Sequence, residues 1–208
     1  RRGHRHRRAE ARRALAAVGR TPPRHDLAMA NLHMAQHRDA VRRMAIFDVP
    51  VPGDGTTVFF DNRWHHGLHW ELDFPEALTA GREDIYLGFF YRNWGARPDV
   101  ISEEDQSEYL RTYRLPGAMR AGFNIYRAVH QDIEDNQRFL AQGKLKMPVL
   151  VYGGPHGRGR GMLALESWQR VAENVTGGIA EGCGHWIPEE RPEWALAETL
   201  RFFGEDNG

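Results

Sequence analysis

Apolar positions along this chain fall into short runs that punctuate longer amphipathic stretches. "MAIF" (Met44 to Phe47) is halted by "DVPVPGDG", whose two prolines and two glycines forbid regular structure, so the pattern predicts a buried strand followed by a loop. "MPVLVY" (Met147 to Tyr152) is a second such run and ends in "GGPHGRGRG". A weaker third, Val175 to Ala180, leads into "EGCGHW". Helical periodicity follows the last two, over Met162 to Val171 and over Glu193 to Phe203, where Trp194, Ala197, Leu200 and Phe203 or Phe202 fall near one face. Alternating strand and helix predict an α/β fold, a parallel sheet flanked by helices.

Between the first two strands the pattern is mostly helical. Ser102 in "SEED" has the form of an N-cap with acids in the first turn, and "PGAMRAGFNIYRAVHQDIEDNQRFLAQG" opens with a proline near the first helical position and closes on a capping glycine. The block reads as an all-helical insertion in an α/β domain. A further short helix is expected over Ala28 to Gln36, and no internal repeat or low-complexity segment is evident.

Charge and cysteine content narrow the classes. The formal net charge of the 208 residues is zero, but residues 1–25 carry nine arginines against one acid, Glu10, leaving −8 on the remaining 183. That arm fits either a nucleic-acid contact or a solvated tail; with no aromatic residue interleaved for base stacking, the tail is preferred and no nucleic-acid partner is expected. The one cysteine, Cys183, excludes an intrachain disulfide and a multi-cysteine zinc site, and reads as a small buried side chain. No apolar run reaches membrane-spanning length and "ALAAV" is too short for a secretory core, so a cytoplasmic protein without a membrane partner is expected. The sequence starts at Arg1 rather than methionine, so upstream sequence is expected.

In open α/β sheets, chemistry gathers at the carboxyl ends of the strands. Three loops qualify here: Asp48 to Asp54, Gly153 to Gly161 and Gly182 to Pro188. The second offers no carboxylate, only His156 among glycines, and lacks the Lys-Ser/Thr ending of a phosphate cradle. Asp48 in the first and His185 in the third could form an orienter-and-base pair, or be a turn residue and a structural histidine. Asp26, in "RHDLAM" ahead of the expected helix, is a candidate nucleophile, since an aspartyl ester can be opened by activated water. His65 and His69 are four residues apart, but without an H-E-x-x-H arrangement no metal and no cofactor are expected.

At these residues the sequence resembles the α/β-hydrolase superfamily, and within it the epoxide-hydrolase branch with an aspartate nucleophile. "GCGHWIPEERP" resembles that branch's base loop and gives the catalytic histidine as His185; "FDVPVPG" is similar to its turn after the sixth strand and gives the catalytic acid as Asp48. The dipeptide "HD" resembles the nucleophile motif and gives Asp26. "WHHGLH" resembles the "WH-x-x-x-H" segment, whose first histidine helps polarise the epoxide oxygen, here His65, and "IYRA" resembles the cap helix bearing its tyrosine partner, here Tyr126.

The resemblance covers roughly Asp26 to Gly204 and implies a small-molecule epoxide substrate. Asp26 would attack a ring carbon while His65 and Tyr126 donate to the oxygen; His185, held by Asp48, would activate the water that opens the ester, with the Leu27 N–H as an oxyanion donor. It also implies a partial α/β-hydrolase fold: a basic arm over 1–25, the core over 26–57 and 142–208, and a helical cap over 58–141. The departures lie at the N-terminal end, around and before Asp26. "GRTPPR" places two prolines where the strand feeding the nucleophile should run, no H-G-x-P segment is present, and Arg24 and Met29 replace small residues. A sheet edge exposed by that loss would invite homodimerisation. A catalytically impaired remnant is therefore one alternative. A haloalkane- or fluoroacetate-type dehalogenase is another, disfavoured because Leu27 to Met29 contain no arginine and His66 stands where tryptophan is expected.

Overall fold

A computed structural model of the chain describes residues 41–56 and 63–204. Asp26, Leu27, the basic arm and the helix expected over Ala28 to Gln36 lie outside the described residues. Strands β1 (Met44–Phe47), β2 (Val149–Gly153) and β3 (Val175–Ile179) form a parallel sheet in the order β1-β2-β3. Met44 pairs with Val149 and Val149 with Val175, so all three strands end at the same edge, with Phe47 beside Tyr152 and Gly153 beside Ile179. Val149, Leu150 and Val151 are almost fully buried, as a continuous apolar run in a strand covered on both faces must be.

Helix α6 (Met162–Val171) connects β2 to β3 and supplies the centre of the core. Trp168 is fully buried among Met44, Ile46, Val149, Val151 and Leu165. Its indole N–H donates to the carbonyl of Val49 at 2.9 Å, and Ser167 Oγ accepts from the N–H of Val51 at 2.8 Å. These two bonds tie the proline-rich loop after β1 to α6, which its missing ladder partners could not do.

Helices α1 (Trp64–Trp70), α2 (Phe74–Thr79), α3 (Glu83–Asn93), α4 (Glu103–Tyr113) and α5 (Ala118–Leu140) fill the interval between β1 and β2. Ser102 caps α4 as expected: its Oγ accepts from the N–H of Asp105 at 3.2 Å, with Glu103, Glu104 and Asp105 in the first turn. Arg127 on α5 grips Glu76 on α2 bidentately, at 2.8 and 3.0 Å. The far end of α5 docks on the loop after β1. Asn136 donates to the carbonyl of Pro52 at 2.9 Å, and a Cβ at Gly53, φ +79°, would lie 2.8 Å from the Ile133 carbonyl oxygen. The helix that carries Tyr126 is thereby referenced to the loop that begins at Asp48.

Two short elements close the described chain, α7 (Ile187–Glu190) and α8 (Pro192–Gly204). The face of α8 that meets the core differs from the expected one. Pro192, Ala195, Thr199 and Phe202 are buried, while Leu200 and Phe203 are exposed. The buried set follows the 3/4 spacing from the proline at the helix start. Trp194 instead leans sideways onto Tyr152, their ring centroids 4.7 Å apart. No helix among the described residues is long and apolar enough to cross a membrane.

Candidate active site

Asp48 follows β1 at once and is fully buried. Its backbone adopts φ +60°, a left-handed conformation that costs a non-glycine residue on the order of 1 kcal/mol or more. The strain is offset by the bonds it permits. Oδ1 accepts from the N–H of Gly154 at 2.8 Å and from that of Arg160 at 2.7 Å, and Oδ2 accepts from Nδ1 of His185 at 2.6 Å. The loop after β2, which offered no carboxylate in the sequence, contributes two backbone donors instead. Its glycines permit the approach: a Cβ on Gly154 would stand 2.0 Å from the carbonyl oxygen of Gly184.

With Nδ1 turned to Asp48, His185 presents Nε2 to the open side of the loop. Three further contacts fix the ring. The backbone N–H of His185 donates to the Trp94 carbonyl at 2.9 Å, and the ring is edge-on to Trp94 and Trp186, with centroids 5.0 and 4.8 Å away. Glu190 holds the loop from below. Its Oε1 accepts from the N–H groups of Gly184 and Trp186 on either side of His185, at 2.8 and 3.1 Å. Its Oε2 accepts from Ala96 at 2.8 Å. Cys183 takes no part: it is buried with Ala180 and Ile187, and burial, then the nearby Glu190, pushes its thiol up to about 12.

Asp48 and His185 line a cavity of about 650 Å³ whose lining also includes His65, His69 and Tyr126. Trp94 touches both histidines, its ring 4.8 Å from that of His65 and 5.0 Å from that of His185. The tyrosine ring lies 5.4 Å from His65, 5.3 Å from His66 and 4.3 Å from His69. His69 Nε2 shares a short hydrogen bond with the Tyr86 hydroxyl. Burial, reinforced by neighbouring imidazoles and then an arginine for His65 and His69 and by Arg160 and Arg63 for His66, lowers His65 to about 2, His66 to about 4 and His69 to about 3. All three are neutral imidazoles at neutral pH, each with one N–H to give.

The structure thus brings Asp48, His185, His65 and Tyr126 to one cavity, whereas Asp26 and Leu27 lie outside the described residues. His156 is exposed and does not line the cavity. Among the described residues no group of three His, Cys, Asp or Glu side chains is arranged to hold a metal. Sequence reasoning missed Trp94, Tyr86, Glu190 and the two amide donors. The glycine run "GGPHGRGRG" was the one available signal, since glycines before a helix imply close backbone approach.

No known family model matches the chain. It is 34% identical over 181 residues to the soluble epoxide hydrolase of Corynebacterium sp. (strain C12), covering 80% of this chain and 60% of that protein. The crystal structure of Cfl2 from Burkholderia cenocepacia superposes with a TM-score of 0.70 at 36% identity, over 82% of this chain and 59% of that one. The ligand-free epoxide hydrolase CorEH superposes with a TM-score of 0.75 at 33% identity, over 86% and 64%. The chain therefore spans about 60% of the length of the soluble epoxide hydrolase it matches. The chain carries a partial α/β-hydrolase fold and is similar, among proteins of that fold, to the epoxide hydrolases.

Proposed function

We propose that this chain carries the machinery of an epoxide hydrolase that works through a covalent aspartyl ester. The observation that supports it best is the pairing of two different chemistries in one cavity: an oriented base, Asp48–His185, together with neutral donors, His65 and Tyr126. In this reading residues 26–57 and 142–208 are the core and 58–141 the cap.

The Asp26 carboxylate attacks one ring carbon from the side opposite the C–O bond, which breaks as the new ester C–O bond forms. Charge accumulates on the departing oxygen. His65 and Tyr126 donate to it there, in a water-poor cavity where each such bond is worth more than in water. His65 suits the task because its burial keeps it neutral and so a donor of moderate strength. Tyr126 gives its hydroxyl proton to the alkoxide and is left as a phenolate, while His65 keeps its proton and holds the oxygen by a hydrogen bond. His185 Nε2 then takes a proton from water as the hydroxide adds to the ester carbonyl, and Asp48 stabilises the imidazolium. The Leu27 N–H supports the transient oxyanion. On collapse the His185 imidazolium returns its proton to the departing oxygen, which releases a vicinal diol, and the Asp26 carboxyl proton passes back to the Tyr126 phenolate.

A single-turnover reaction in ¹⁸O-labelled water, with enzyme in excess over an epoxide such as styrene oxide, tests this chemistry. The ester route predicts a diol whose new oxygen is unlabelled, with the label retained on the enzyme. A diol labelled in the first turnover would mean that water attacks the epoxide directly.

A further inference from the structure

One cation in the cavity has no role in the steps above. Arg63 precedes α1 and lines the same cavity as Asp48, His185, His65 and Tyr126. Its side chain is half-buried, with the guanidinium over the Trp94 ring, 5.0 Å from the centroid. Its one hydrogen bond among the described residues runs from Nη2 to the carbonyl oxygen of Arg158, at 2.9 Å. No described carboxylate lies in ion-pair range of it.

The two carboxylates on the cavity wall are already engaged. Asp48 is filled by Gly154, Arg160 and His185, and Glu189 accepts a short hydrogen bond from Tyr109. The positive field reaches the donors: Arg63 contributes to lowering both His65 and His66, and Arg160 acts on His66 as well. The rest of the lining is mainly aromatic and aliphatic, including Phe90, Phe123, Val129 and Ile101. Asp48 acts on this guanidinium only through its field, without a hydrogen bond, and much of the fork is still undonated. The planar fork matches a carboxylate, and a ligand carboxylate would take up the donors that Asp48 leaves open.

We infer that the cavity takes a small epoxide bearing a carboxylate on or beside the ring, with Arg63 holding that carboxylate while the apolar lining receives the remainder. The inference rests on the epoxide-hydrolase reading and narrows its substrate class. Arg63 is a specificity-determining residue in this account, and a neutral epoxide reaches the same donors without its help.

The test has a binding arm and a turnover arm. Calorimetry on the full chain compares 3-phenylpropanoate with 3-phenylpropanamide, which share shape and differ in charge. The acid is expected to bind about tenfold tighter or more, as a charge-assisted pair gives. Arg63→Gln is expected to erase that preference, acid and amide binding alike within the same variant, and Arg63→Lys to keep part of it. Equal or tighter binding of the amide to the unaltered chain overturns the inference, and this comparison needs no variant to fold. A preference that survives in cooperatively folded Arg63→Gln overturns it too. Turnover of 3-phenyloxirane-2-carboxylate against its carboxamide separates the two levels. If neither is opened while acid binding still depends on Arg63, the hydrolase reading fails and the anion site stands. If both are opened equally and Arg63→Gln changes nothing, the anion site fails and the hydrolase reading stands. An equal loss on both epoxides in Arg63→Gln also overturns it, since that pattern marks a guanidinium that serves the departing oxygen.

Discussion

The Asp48 carboxylate and the His185 imidazole meet at 2.6 Å across 137 positions of sequence, and neither could be where it is alone. Asp48 holds a left-handed backbone, φ +60°, because Gly154 and Arg160 satisfy its other oxygen. His185 holds its tautomer because Asp48 accepts from Nδ1. The pair is built by the approach of three loops at the carboxyl edge of a three-stranded sheet.

Asp48→Asn is the sharpest test of that pair. The amide oxygen can still accept from Gly154 and Arg160, but its NH₂ group then faces Nδ1 and forces the opposite tautomer. Turnover is expected to fall by about 10³–10⁴ with thermal unfolding nearly unchanged. A loss below about tenfold would remove Asp48 from the chemistry.

Glu190 should matter to the same histidine without touching substrate. Glu190→Ala strands the N–H groups of Gly184, Trp186 and Ala96, at about 1–3 kcal/mol for each one left buried and unpaired. It also loosens the ring between Trp94 and Trp186. Melting temperature and ester hydrolysis are both expected to fall, and ester formation to fall much less. Glu190→Gln keeps one acceptor oxygen and should lie between. Equal loss in both chemical steps would reduce Glu190 to a purely structural part.

Gly154→Ala places a methyl group into the Gly184 carbonyl, at 2.0 Å in the unrelaxed structure. The two loops must separate, so the Asp48–His185 bond is lost together with a few kcal/mol of stability. Chemical denaturation and turnover should both report it. A variant as stable and as active as the parent would mean that the loops do not approach so closely.

The histidine cluster predicts a pH dependence of stability whose sign is fixed by the direction of its shifts. His65, His66 and His69 are held at about 2, 4 and 3 when folded, against about 6.5 when unfolded. Above pH 6.5 both states are neutral and the rings cost nothing. As the pH falls below 6.5 the unfolded chain gains protons that the folded one refuses. Stability then drops by up to about 1.4 kcal/mol per pH unit for each ring until its folded value is reached. Urea unfolding between pH 7 and pH 5 should show the midpoint falling, less steeply in His69→Asn. A flat profile over that range would contradict the burial of the cluster.

Much of this architecture was legible in the sequence, and what was not shares a cause. "MAIF" forms β1 over the expected residues, Met162 to Val171 forms α6, and Ser102 caps α4, because each is specified by its own neighbours. The loops carrying Asp48 and His185 were legible because prolines and glycines mark where strands must stop. Illegible were the partners that depend on remote backbone: the Gly154 and Arg160 amides, the Trp94 carbonyl, and Glu190 reaching Ala96. No local period encodes a bond spanning ninety-four positions. The face of α8 was misjudged for a related reason. Large apolar side chains dominate a periodicity argument, whereas the smaller Ala195 and Thr199 are among the residues this helix buries.

The central claim is that His185 serves the second half of a two-step reaction, and trapping the intermediate tests it most directly. Intact-mass spectrometry of His185→Gln after incubation with a panel of neutral and carboxylate-bearing epoxides, followed by peptide mapping, reads the outcome in daltons. The account predicts a stoichiometric gain equal to the mass of one epoxide, carried on Asp26, because ring opening needs the donors but not the base. A cooperatively folded His185→Gln protein that acquires no adduct, or acquires it on another residue, would contradict the account.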